Sequence, residues 1–187
     1  MIEHASHSLL VAGRPTLTSP LGAALAQRSI HVERAVYDLA DELLMTSAFD
    51  GVAVVPTLLS HDAGVAWDTV QHELTGVFRL VQQYIRAVSA EGRGGHIFGL
   101  VPANAAMGDP ADCHGSALAG GMLSFWRTLA LEVVKFRMTA NIVLYGERTD
   151  WGDLAAMIHT LMSQNQGTIT GQEIYADAGR DGGRLHP

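Results

Sequence analysis

Short, unbroken apolar runs alternate along this chain with stretches of helical period, and no other feature narrows the fold so far. The runs are Ser8-Leu9-Leu10-Val11-Ala12-Gly13, Val52-Ala53-Val54-Val55, His96-Ile97-Phe98-Gly99-Leu100-Val101, Thr139 to Tyr145 and Glu173-Ile174-Tyr175-Ala176. A strand with one wet face alternates apolar and polar residues, whereas a run that is apolar throughout is covered on both faces. Such strands, interleaved with helices, predict an α/β fold: a Rossmann-like doubly wound parallel sheet with helices on both faces.

Between the strands, Pro20 and Gly22 open an Ala/Leu-rich helix through about Arg28, and Ser29 to Val32 reads as a short second strand. Residues 35–47 have amphipathic spacing. From about 65 to 90, Val70, Leu74, Val77, Phe78, Val81 and Ile85 recur at three- and four-residue steps, which predicts a long helix with a broad apolar stripe. Gly92-Arg93-Gly94-Gly95 stops it. A second long helix is expected over about 111–135, small-residue-rich in its first half, and a third over Leu154 to Ser163. With 187 residues, no repeat and no linker, the expectation is a single domain over 1–187.

Composition removes several classes of function. The net charge is −7 and no Lys/Arg cluster is present, so phosphate counterions could not be displaced and a nucleic-acid partner is not expected. One cysteine, Cys113, cannot build an intrachain disulfide and fits a reducing, cytoplasmic setting. No signal-peptide pattern is present, and the apolar runs read as too short for a bilayer, so no membrane partner is expected. The nine histidines are scattered without ligand spacing, so no metal is expected. Charged residues make up 17% against 48% apolar, a balance that predicts apolar surface turned toward another subunit.

Several local phrases resemble the short-chain dehydrogenase/reductase family. Phe49-Asp50-Gly51-Val52-Ala53-Val54-Val55-Pro56-Thr57 is similar to its I-D-x-L-V-N-N-A-G, and Glu73-Leu74-Thr75-Gly76-Val77-Phe78 to N-L-x-G-x-F. Gly95-His96-Ile97-Phe98 is similar to G-x-I-V. Leu129-Ala130-Leu131-Glu132 and Thr139-Ala140-Asn141-Ile142-Val143 resemble L-A-x-E and R-V-N-x-V. The most specific match is Ile169-Thr170-Gly171-Gln172-Glu173-Ile174-Tyr175-Ala176-Asp177-Ala178-Gly179, similar to I-T-G-Q-x-[IL]-x-V-D-G-G. Residues 49–179 carry the resemblance well and the first 48 poorly.

Carried over residue by residue, the resemblance implies an Asn, a Ser and a Y-x-x-x-K pair, with Tyr as acid or base and Lys beside it. The corresponding stretch here is His114-Gly115-Ser116-Ala117-Leu118, so His114 stands for Tyr and Leu118 for Lys. The serine position falls on Val101 or Pro102 and the Asn position on Glu73. The cofactor turn T-G-x-x-x-G-x-G corresponds to residues 13–22, where only Gly13 and Gly22 remain, Pro15 and Pro20 remove amide donors, and the loop reads as longer. About forty residues separate Gly13 from the 52–55 run, too few for the usual two strands with their helices. After Tyr145-Gly146 the segment that covers substrate in the family reads as missing.

The expectation is therefore a chain that is no enzyme by itself and binds no cofactor. It would be the non-catalytic subunit of a hetero-oligomer (a heterotetramer) with an active, NAD-binding paralogue. Inactive subunits of heterotetrameric alcohol dehydrogenases are similar, among them the hydroxyacyl-CoA dehydrogenase type of anaerobic toluene (benzylsuccinate) degradation. Phe78, Ile85, Ala117, Gly120, Gly121, Phe125, Trp126 and Leu129, on the two long helices, are the expected interface. A second surface over Trp151, Leu154, Met157, Ile158 and Ile174 is weighed equally with core packing. Two alternatives stand beside this: a homodimeric small-ligand-binding or regulatory protein, and an enzyme of substituted chemistry using His114 and Glu73.

Overall fold

The computed structural model describes residues 7–13, 15–35, 48–56, 67–163 and 168–176. Six strands form one sheet in the order β2-β1-β3-β4-β5-β6. They are β1 (Ser8–Gly13), β2 (His31–Ala35), β3 (Gly51–Val55), β4 (Gly95–Pro102), β5 (Met138–Tyr145) and β6 (Glu173–Ala176). Every pairing is parallel, with Leu10 opposite Val52 and Ile97 opposite Ala140. Four helices of more than two turns connect them: α1 (Pro15–Ala26), α2 (Trp67–Ala90), α3 (Cys113–Val133) and α4 (Trp151–Ser163). The α/β class and the parallel sheet expected from the continuous apolar runs are the observed ones. The amphipathic stretch at 35–47 lies outside the described residues apart from Ala35, which ends β2.

Alternation along each strand distributes the core between two layers. On one face Leu10, Val52, Val54, Ile97, Ala140 and Ile142 meet α2 and α3 through Val77, Leu80, Tyr84, Met122 and Trp126. On the other, Leu9, Val11, Ala53, Phe98, Leu100 and Val143 meet α1 and α4 through Leu21, Leu25, Leu154 and Ile158. The inner residues of α3 are Leu118, Met122, Trp126, Leu129 and Val133, at steps of four, four, three and four. This phase corrects part of the expected interface. Trp126 (2% exposed) and Leu129 (5%) face the sheet, because they share the helical phase of the core positions. The Trp126 ring lies over Gly99, whose missing side chain makes the space. Its Nε1 is buried without a hydrogen-bond partner, at a cost of about 1–3 kcal/mol that the packing offsets.

With the turn that follows it, α3 (Cys113–Phe136) is by length and composition apolar enough to cross a membrane. This corrects the expectation that no run is long enough. Its small residues raise the apolar average, and its large inner side chains are buried on the sheet. Of the second surface weighed above, Leu154 and Ile158 belong to the core, while Trp151, Met157 and Ile174 are half-buried.

Candidate functional site

Parallel α/β sheets bind ligands beyond the carboxyl ends of their strands. Here that edge gathers the ends of β1, β2, β4 and β5 with the starts of α1, α2 and α3.

At β1 the glycine turn is tighter than expected. β1 ends at Gly13 and α1 begins at Pro15, which corrects the longer loop expected between Gly13 and Gly22. Pro15 occupies the first helical position, where its fixed φ is suited and its missing N–H costs nothing. Pro20 sits inside α1 and removes one helical hydrogen bond. Gly13 has φ +144, and a side chain there would run into the Val55 carbonyl, so glycine is required. Gly22 packs against Val32 and Arg34. Between these elements lies a crevice of about 480 Å³ lined by Gly13, Pro15, Thr18, Ser19, Val32, Glu33, Arg34 and Ala35. Arg34 donates from Nη1 to Ser19 Oγ at 3.0 Å across it. The sequence signal for this crevice was weak because β2 is half-exposed and polar.

The four positions that correspond to the family's reacting groups are placed as follows. Val101 is fully buried near the end of β4, and Pro102 precedes a single helical turn, Ala103–Ala106. His114 sits in the first turn of α3, which Asp112 caps by accepting from Gly115 N at 2.8 Å. Its ring lies against Trp67 at the start of α2, centroids 4.6 Å apart. Leu118, one turn on, is fully buried against Val70, Leu74 and Ala117. Glu73 is 7% exposed on α2. A groove of about 530 Å³ runs along α2, lined by Trp67, Val70, Gln71, Leu74, Thr75 and Phe78, without Glu73 or His114. Trp67 is 58% exposed and Phe78 50%, with the Phe78 ring 5.7 Å from that of Phe125. Ile85, Ala117, Gly121 and Phe125 are half-buried and Gly120 is exposed.

The best-matched phrases do structural work. Asn141, buried on β5, donates from Nδ2 to the Ile169 carbonyl at 3.0 Å and accepts from Gln172 N at 3.1 Å. Thr170 Oγ1 accepts from Ala140 N at 3.0 Å, and Gly171, at φ +72, donates from its N to the Ala140 carbonyl at 2.8 Å. The A-N-I-V and I-T-G-Q phrases therefore bind each other and align β6 on β5. Beyond β4, Met107 Sδ accepts from Tyr175 Oη at 3.1 Å, and Ser116 Oγ accepts from Asp109 N at 2.8 Å, pinning the 103–112 segment. Among the described residues no group of three or more His, Cys, Asp or Glu side chains is arranged to hold a metal.

No family model matches the sequence, and no curated protein does. The fold does match solved structures. An acetoin dehydrogenase from Enterobacter cloacae superimposes with a TM-score of 0.75 at 14% identity, covering 97% of this chain and 98% of that one. An acetoin dehydrogenase from Salmonella typhimurium gives 0.73 at 15%, covering 97% and 98%. A short-chain dehydrogenase/reductase from Serratia marcescens gives 0.71 at 16%, covering 94% and 98%. At such identities the likeness establishes the fold, which is that of short-chain dehydrogenases. These structures, and others of the same fold, are described throughout as oxidoreductases, dehydrogenases or reductases. That finding overturns the expectation of a chain that is no enzyme. Replacement at Glu73, Val101, His114 and Leu118 does not by itself carry that negative.

Proposed function

We propose that this chain works in an oxidoreductase of the short-chain dehydrogenase type, as a subunit paired with a full-length relative that carries NAD and acts on an alcohol or hydroxyacyl-CoA. The outward apolar ridge of α2 carries the reading. Trp67 and Phe78 stand more than half or half exposed beside small or half-buried positions of α3, Gly120, Gly121 and Phe125. Exposed large apolar groups clustered on one helix pair mark a protein contact. The sequence motifs at 73–78 and 129–132 support a family origin for both helices.

The test is co-expression with a dehydrogenase from the same genome that keeps T-G-x-x-x-G-x-G and Y-x-x-x-K, followed by size-exclusion chromatography with native mass and by calorimetric titration with NAD. A mixed oligomer taking about one NAD per full-length chain is expected. A homo-oligomer that ignores the relative overturns the proposal. A second reading is favoured by the crevice at Gly13, Ser19 and Arg34: the chain takes up a nucleotide itself, which titration of the isolated chain decides.

A further inference from the structure

The segment that leaves β4 and enters α3 is held by two kinds of contact. Met107 N closes the single turn Ala103–Ala106 by donating to the Ala103 carbonyl at 3.0 Å. Asn104 Nδ2 donates to Asp109 Oδ2 at 3.0 Å, and Ala111 N to Asp109 Oδ1 at 2.9 Å. Asp109 N donates to Ser116 Oγ at 2.8 Å. These contacts stay within the segment and the first turn of α3. The tie to the edge of the sheet is of another kind: Tyr175 Oη on β6 donates to the Met107 sulfur at 3.1 Å, while Ala106 and the Tyr175 ring pack on the same core layer. A thioether is a weak acceptor and a soft nucleophile, so a peroxide alters this tie and leaves amide and carboxylate bonds as they are.

Exposure sets Met107 apart. Among the described residues Met122, Met138 and Met162 are buried in the core, and Met157 is half-buried against the α1 and α4 layer. Met107 is half-buried at the carboxyl edge, followed by Gly108 at φ +87 with open space around it. An oxygen added to the sulfur has no room on the Tyr175 side, because Oη already stands at hydrogen-bond distance. Oxidation therefore turns the sulfur away from Tyr175 or drives the hydroxyl off. Either movement parts the segment from β6, and Gly108 gives the backbone a place to turn.

We propose that Met107 is a peroxide-sensitive modification site whose oxidation to the sulfoxide releases the 103–112 segment from β6. The sulfur lone pair attacks one oxygen of hydrogen peroxide, the O–O bond breaks and an S=O bond forms. The proton on the transferred oxygen passes to the departing hydroxide, which leaves as water. Sulfur gives up two electrons and the peroxide takes them. The site does not depend on the proposed subunit pairing, which uses the outward ridge of α2. The experiment treats the full chain with hydrogen peroxide, maps each sulfoxide by peptide mass and follows amide exchange. Met107 should oxidise at least about tenfold faster than Met122 or Met138. Exchange over residues 103–112 and 173–176 should then rise about tenfold while β4 and β5 keep their protection. Methionine sulfoxide reductases should reverse the rise. Met107→Leu, which keeps the volume, should exchange faster over those residues from the outset and gain nothing from peroxide, whereas Met157→Leu should respond as the parent does. Oxidation of Met107 no faster than of the core methionines, a sulfoxide at Met107 with exchange unchanged, or a rise that persists in Met107→Leu overturns the proposal.

Discussion

A histidine held neutral inside a core gives stability a fixed direction with pH. His96 has its pKa lowered to about 4 against an ordinary 6.5, burial being the main cause. The unfolded chain binds the proton more readily, so the stability is intact above about 6.5 and falls as pH drops toward 4. The full loss is about 3 kcal/mol. Denaturant unfolding at pH 7.5 and pH 4.5 measures it, and His96→Gln should flatten the dependence. Two further residues have consequences at this scale. Gly13→Ala forces a side chain into the Val55 carbonyl at φ +144 and should cost about 3 kcal/mol by the same assay. Leu118→Lys places the lysine of the resembled Y-x-x-x-K motif at a fully buried position among Val70, Leu74 and Ala117. An unpaired ammonium there should cost about 3 kcal/mol or more, and thermal unfolding would register the drop. Leu118 is a core residue, and a lysine there needs matching changes around it.

Among elements, α2 presents two faces with different tasks. Val70, Val77, Leu80, Val81, Tyr84 and Val88 are buried within the chain, while Trp67 and Phe78 point outward. Phe78→Glu should therefore leave folding within about 0.5 kcal/mol of the parent. Assembly with the full-length relative should weaken by at least about tenfold on size-exclusion dilution, because a buried interface excludes an unpaired charge. An unchanged complex would move the contact to another face. The strands were readable from sequence because five of them are continuous apolar runs, whereas the inner phase of α3 was missed. Leu118, Met122, Trp126, Leu129 and Val133 share one helical stripe, which sets Trp126 and Leu129 inward, but their size was read as the mark of an interface. The turn at 13–15 was less legible. Proline counts against helix in general, yet at the first position it favours one, and only the backbone reveals which applies at Pro15.

For the whole molecule, a parallel sheet with helices on both faces followed from local signals, while the strand order came from the structure. The site did not follow in the same way. Chemistry depends on which side chains converge, and the sequence aligned His114 with a reacting group while the fold sets its ring against Trp67. The β2 end of the sheet has one more consequence. Among the described residues β2 closes one end of the sheet, pairing with β1 and no other strand, and its sequence His31-Val32-Glu33-Arg34-Ala35 puts charge where a free strand edge would invite another chain. Such edges seed aggregation unless they are short and charged. Glu33 and Arg34 thus guard that edge against pairing with another chain, and Glu33→Val/Arg34→Val should turn a clear solution turbid long before it lowers the melting temperature.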